Sequence, residues 1–286
     1  MTELLDAAKL SVIMLILISA SISDWKRREA SDIHWFLIGV VGILCMTYVA
    51  FDEGMRWEYA LMIIGTVIIL VEILWDFERK PFVQAMIYLC LALMFLIPLL
   101  SASDDTLVQT FLVVPAAFLI FVGMFMSGLI RGGADTKCLI VLAMVFQTYP
   151  VFYGYPLVSL PELETTLIFQ FSLMVMFHAA LFSVAMVFYY LIRNLSRKEG
   201  HFPYIFTSYR MSSKNARDAH VWPIQKVVDG KAVMAKKAQD ISVIDDLESI
   251  GETEVWVTPM IPFLIPITIA VGFVAIIGNL LFMLPF

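Results

Sequence analysis

Charge is what this sequence has least of: 15% of its 286 residues are Asp, Glu, Lys or Arg, against about 25% in a soluble domain, while 60% are hydrophobic against roughly 45–50%. That balance excludes an ordinary soluble enzyme. Cysteine is nearly as sparse, and Cys45, Cys90 and Cys138 stand singly within or beside apolar runs with no CxxC pair, which excludes a zinc ribbon or a dithiol redox centre. They read as small residues for helix packing. His34, His201 and His220 have no ligand spacing with cysteines or carboxylates, so no metal and no cofactor is expected. A net charge of −6 offers nothing to a phosphate backbone, and no nucleic-acid partner is expected. Segments of about ten residues with alternating polarity are missing, which excludes a membrane barrel. Internal repeats and low-complexity tracts are missing too. The first apolar run has no basic region ahead of it and ends in Asp24-Trp25-Lys26-Arg27-Arg28, so it does not read as a cleavable secretory signal.

What the chain does have is apolar length. Eight segments stand out: Ala7–Ser23, Ile33–Phe51, Trp57–Trp75, Phe82–Leu100, Leu107–Ile130, Cys138–Val158, Thr165–Ile192 and Pro259–Leu284. Since about 20 apolar residues cross a bilayer, the expected fold is an all-α polytopic membrane protein with about eight transmembrane helices. Pro150 and Pro156 interrupt the sixth segment, and Gly132-Gly133 breaks what otherwise reads as one long helix from Leu107 onward. Residues 193–258 are the only sizeable polar region and read as a small cytoplasmic α+β module that packs on the membrane domain, with Val255-Trp256-Val257-Thr258 as a short strand. The domain division is therefore 1–192, 193–258 and 259–286.

Orientation follows from the basic residues in short connections. With the N-terminus outside, Lys26, Arg27, Arg28, Arg79, Lys80, Arg131 and Lys137 lie on the cytoplasmic side, and only Lys9 and Arg56 oppose them. Four segments separate Asp24 from Asp135, an even number, so both aspartates emerge on the same cytoplasmic face of the cell membrane. Carboxylates at the edge of hydrocarbon are costly enough to need a partner or a task. Two that meet cannot both ionise cheaply; one proton is then shared, and the pair can activate water on one side and polarise a carbonyl on the other. Gly132 and Gly133 would let a substrate backbone come close to Asp135. The last segment opens Thr258-Pro259-Met260-Ile261-Pro262-Phe263, whose prolines leave backbone groups unpaired, as suits a chain bordering a wet cavity.

Three islands carry a resemblance. Gly132-Gly133-Ala134-Asp135, followed by Thr136-Lys137, is similar to the Gly-x-hydrophobic-Asp motif of membrane aspartic proteases in its prepilin and preflagellin peptidase form. The run from Ser23-Asp24-Trp25-Lys26 to Ile33-His34-Trp35 resembles that family's first catalytic segment, and Thr258–Phe263 resembles the proline-rich start of its final helix. The resemblance implies an archaeal-type aspartic endopeptidase in which Asp24 and Asp135 are catalytic, while Gly132, Gly133, Ala134, Lys137, Pro262 and Phe263 border the substrate. Its implied partners are pilin-like or archaellin precursors with short basic leaders, held in the lipid bilayer and cut at the cytoplasmic face. The chain lacks the cysteine-rich loop of many bacterial members, so the methyltransferase activity coupled to that loop is not expected. The 111 positions between the aspartates (135 − 24) exceed the spacing of compact archaeal members, as if an extra helix pair had joined a six-helix core.

Glu29, Asp32, Asp76 and Glu78 share the expected cytoplasmic face and would attract a basic leader. Glu72 would be a third acid near the site; Gln147, Gln170 and His178 would hydrogen-bond between helices, and Trp35, Trp57, Trp75 and Trp256 would form an interfacial belt. Three other readings stay open, the plainest being a scaffold without catalysis, in which neither carboxylate matters. A presenilin-like or signal-peptide-peptidase-like protease would set its first aspartate deeper, after a tyrosine, and add a Pro-Ala-Leu element, whereas a transporter or proton relay would use Asp24 and Asp135 as titrating sites.

Overall fold

A computed structural model describes residues 2–75, 78–158, 167, 169–235 and 237–283. In chain order the elements are α1 (Thr2–Arg27), α2 (Asp32–Asp52), α3 (Trp57–Leu74), α4 (Pro81–Ser101), α5 (Thr106–Phe111), α6 (Val113–Met126), α7 (Gly133–Val145), α8 (Phe171–Ser196), β1 (Tyr209–Ser212), α9 (Ser213–Asp218), β2 (Val221–Pro223), β3 (Gln225–Val228), β4 (Lys231–Met234), α10 (Val243–Ser249), β5 (Glu254–Pro259) and α11 (Leu264–Ile276). They fall into two compact units, Met1–Ala179 with Phe263–Phe286, and Ala180–Pro262.

Among the described residues, six helices are long and apolar enough to cross a bilayer: Glu3–Arg27, Asp32–Asp52, Trp57–Leu74, Pro81–Ser101, Thr106–Met126 and Phe171–Ser196. That is the architecture of a polytopic membrane protein. The sixth and eighth apolar segments make shorter helices. α7 stops at Val145, and its 13 residues rise about 20 Å, less than the roughly 30 Å of hydrocarbon. From Phe146 to Val158 the chain is non-helical, with Gly154 at φ +84° and a Phe152–Tyr155 bridge, and the Leu157 and Val158 amides bond to the carbonyls of Ile276 and Ile277 at the end of α11. α11 is also 13 residues and starts at Leu264 rather than Pro259. Pro259 closes β5, so strand geometry claims the first of the prolines. Thr165, Thr166 and Leu284, at the edges of two expected segments, lie outside the described residues.

The break between the fifth and sixth segments comes earlier than the glycine pair. Gly128, at φ +76°, ends α6: its amide bonds to the Phe125 carbonyl and the Leu129 amide to the Met124 carbonyl, the paired bonds of a Schellman cap. Gly132 then caps the start of α7. α7 is apolar all round from Cys138 to Val145 and buried throughout, as such a helix must be. It meets α2 at Gly42, where a Cβ would come within 2.7 Å of the Met144 carbonyl carbon and oxygen, so backbone rests nearly on backbone. At the start of α3, Arg56 and Tyr59 both donate to the Asp105 carboxylate, which also caps α5.

The second unit has mixed α+β structure. β5 is the central strand of an antiparallel sheet with order β1-β5-β2, registered Tyr209 to Val257 and Val221 to Pro259. β3 and β4 form a separate hairpin. Ala216, Val221, Ile244, Leu247, Val255 and Val257 make a core under the sheet, enough to organise a unit that composition alone described as poor in core material. The expected strand at Val255–Thr258 is thus this central one, and Trp256 is buried in it rather than part of a belt. Trp35 is also wholly buried, in the first turn of α2, while Trp57 and Trp75 are exposed. Of the cysteines, Cys138 is buried, Cys45 half-buried and Cys90 exposed.

Candidate active site

Asp24 lies in the last turn of α1, which runs past its apolar stretch through Trp25, Lys26 and Arg27. Lysine and arginine suit a helix C-terminus, but a carboxylate there faces the negative end of the dipole and needs support. It comes from α11. The backbone of Leu264, the first residue of that helix and so with an amide that has no intrahelical partner, comes beside the Asp24 carboxylate. Ser21 fixes the two helices together, donating to the Leu264 carbonyl at 3.1 Å and sharing a 2.8 Å hydrogen bond with Thr268. The charge of Arg28 acts on the same carboxylate.

Asp135 lies in the first turn of α7, in the polar stretch ahead of Cys138. Its carboxylate is folded over the backbone of Gly132: a Cβ there would stand 2.0 Å from Oδ2, so no larger residue leaves the carboxylate where it is. Thr136 Oγ1 donates to the Gly132 carbonyl at 3.1 Å and braces the same turn. Gly133 is exposed, and the space a side chain would take from it is open. Among the described residues no cation and no hydrogen-bond donor reaches the Asp135 carboxylate. Burial, and then the negative charge of nearby Asp24, push its pKa from 3.8 up to about 7. The two aspartates are therefore close enough to feel one another across 111 positions of sequence (135 − 24). A carboxyl held half-protonated near neutral pH, beside a second one, is an arrangement that can pass a proton in each direction.

The remaining candidates are placed as follows. Ala134 sits between Gly133 and Asp135 in the opening turn of α7. Lys137 does not turn to the aspartates; its Nζ pairs with Asp32 at 2.7 Å, which also occupies one of the acids expected to draw a basic leader. Phe263 is the N-cap of α11, directly ahead of Leu264, and Pro262 closes the second unit. Glu72 is held by Arg79 at 2.6 Å and by Gln84 at 3.2 Å, so it is a structural acid. Asp76 lies outside the described residues. Gln147 bonds within its own turn to the Met144 carbonyl, His178 contacts the Met174 carbonyl and the Leu280 amide, and Gln170 is fully buried with no side-chain partner among the described residues. Residue reasoning missed Leu264 and Arg28. The prolines at 259, 262 and 266 pointed toward the first; the second stands in the basic stretch that follows Asp24, where its charge was read for orientation.

Residues 200–280 match a family model described as Archaeal Peptidase A24 C-terminus Type II, a region that begins beyond both aspartates. Over 278 residues, 93% of each chain, the sequence is 23% identical to a preflagellin peptidase of Methanococcus voltae.

Proposed function

We propose, from the premise that this chain belongs to the archaeal prepilin/preflagellin peptidase family, that it is a membrane aspartic endopeptidase whose working pair is Asp24 and Asp135. Its substrates are pilin-like or archaellin precursors, each with a short basic leader ahead of a hydrophobic helix that stays in the bilayer. The cut is made at the cytoplasmic face, with the N-terminus outside, as the placement of Lys26, Arg27, Arg28, Arg79, Lys80, Arg131 and Lys137 favours.

The observation that carries the assignment is the approach of two carboxylates from helices far apart in sequence, one of them raised to about 7 by burial and by the other's charge. In the reaction one carboxylate takes a proton from water as the water oxygen bonds to the scissile carbonyl carbon. The protonated partner gives its hydrogen to the carbonyl oxygen. The carbon–nitrogen bond then breaks, the leaving nitrogen takes up a proton, and the pair returns to holding one. Neither a covalent intermediate nor any group from outside the chain is needed. Gly132, Gly133 and Ala134 leave the approach to Asp135 unobstructed, Lys137 steadies the neighbouring loop through Asp32, and Pro262 and Phe263 border the substrate beside the start of α11.

The test is cleavage of a synthetic leader-bearing precursor by detergent-purified protein. Asp24→Asn and Asp135→Asn should each lower kcat by roughly 10²–10⁴-fold, the usual worth of a positioned acid or base, with the thermal transition preserved. Cleavage at the wild-type rate by either variant would end the two-carboxylate assignment.

A further inference from the structure

α7 carries Asp135, yet little in its own sequence decides how it is rolled about its axis. From Cys138 to Val145 every side chain is apolar and buried, so turning the helix exchanges one apolar face for another and burial alone does not choose between them. The chain enters α7 through Gly132 and Gly133, which are permissive in backbone angle and impose no direction. Thr136 bonds back to the Gly132 carbonyl, within its own turn. Among the described residues no donor or cation holds the Asp135 carboxylate, so it goes where the first turn of α7 carries it.

Two contacts with α2 supply what the sequence of α7 does not. The approach of Gly42 to the Met144 backbone sets how close the two helices lie. The second contact is the ion pair between Lys137 Nζ and Asp32 Oδ1, at 2.7 Å. Among the described residues it is the one side-chain hydrogen bond or ion pair that leaves α7 for another element. Asp32 is the first residue of α2, behind the Ser31 cap, where the helix dipole favours a negative charge. The contacts fall in the same order along both helices, 10 positions apart on α2 (42 − 32) and 7 on α7 (144 − 137), so the helices run in one direction and are held together at two levels. Lys137 and Asp135 are two positions apart and leave α7 on opposite sides. A hold on the lysine therefore fixes the bearing of the carboxylate. A side chain reaches about 5–6 Å from the helix axis, so a roll of about 10° moves its tip by about 1 Å.

We propose that the Asp32–Lys137 ion pair is a positioning device that fixes the roll of α7 and so keeps the Asp135 carboxylate directed at its partner. Lys137 acts through Asp135 rather than on the leader, and Asp32 is engaged by the enzyme's own lysine rather than by substrate. The pair is partly exposed, so it adds little to stability; what it contributes is direction. This rests on the two-carboxylate reading above and adds the part that holds its second member in register.

The test is steady-state cleavage of the leader-bearing precursor by the full-length protein in detergent. Asp32→Asn and Lys137→Met should each lower kcat by about 10- to 100-fold, as a carboxylate displaced by up to about 1 Å would, with KM near the wild-type value and Tm little changed. The double variant should lose no more than either single one, because both remove the same interaction. Lys137→Arg, and the exchange Asp32→Lys with Lys137→Asp, should each recover most of the lost kcat. Single losses that multiply in the double variant, or a raised KM with kcat kept, would overturn the proposal in favour of separate contacts with the leader. Wild-type kcat in both single variants, with Asp24→Asn and Asp135→Asn inactive, overturns it too and leaves the aspartate pair standing. Cleavage retained in the aspartate variants removes the pair, and the positioning role with it.

Discussion

Gly132 decides more than its size suggests. A methyl group there would overlap Asp135 Oδ2, and the only atoms free to yield belong to the carboxylate, because the Gly132 carbonyl is held by Thr136. Gly132→Ala should therefore fold but carry a rotated Asp135. Since a displacement of about 1 Å can cost on the order of 10²-fold, kcat should drop by roughly that factor with Tm little changed. Gly133→Ala, with open space where its methyl would go, should stay within a few-fold of wild type, a comparison that single-turnover cleavage can make. Equal losses in the two variants would count against the close approach seen at Gly132. The sequence marked both glycines and gave them one role; the structure separates them, since only one lies under the carboxylate.

Among the elements, α7 matters most because it carries Asp135 and is buried along its apolar length. Its position is set by α2 at Gly42, where backbone atoms of Met144 leave no space for a Cβ. Gly42→Ala should push the two helices apart and destabilise the protein by about 1–3 kcal/mol, the usual cost of overpacking, visible as a lower Tm in detergent. Cleavage should fall with it, because the first turn of α7 moves too. An unchanged Tm would show that the contact is looser than its distances indicate. The apolar segment that became α7 was legible in the sequence, but its end at Val145 was not. Helix and extended chain are both apolar there, and the choice was made by the Leu157 and Val158 amides pairing with the end of α11. α1 likewise ran past its expected boundary, because Lys26 and Arg27 favour a helix C-terminus and let it continue through Asp24.

For the molecule as a whole, the buried carboxyl links stability to pH. Asp135 titrates from 3.8 in an ordinary setting to about 7 in the fold, so folding takes up a proton in that interval. A raised carboxyl favours the folded state fully below its unfolded value, and this contribution is lost as the pH climbs through the folded one. The Tm of the detergent-solubilised protein should accordingly fall between about pH 4 and pH 7 by more than that of Asp135→Asn, which has no proton to lose. Parallel profiles for the two proteins would show that Asp135 does not titrate late. In the proposed reaction the pair works with one proton between them, so cleavage should decline on the alkaline side as Asp135 loses it.

The sequence by itself determined that the chain is helical and built for a bilayer, because apolar length and scarce charge admit no other solvent for it, and it singled out Asp24 and Asp135 because isolated carboxylates at the ends of apolar runs are too costly to be incidental. Only the tertiary structure decided which groups surround those carboxylates. The backbone of Leu264 comes beside Asp24 from a helix 240 positions away (264 − 24), and Asp135 comes near it across 111 (135 − 24). Neither is written in composition or periodicity. Apolar patterning is local and survives in any arrangement of the helices, whereas the charge state of an acid depends on donors and cations that packing alone brings near.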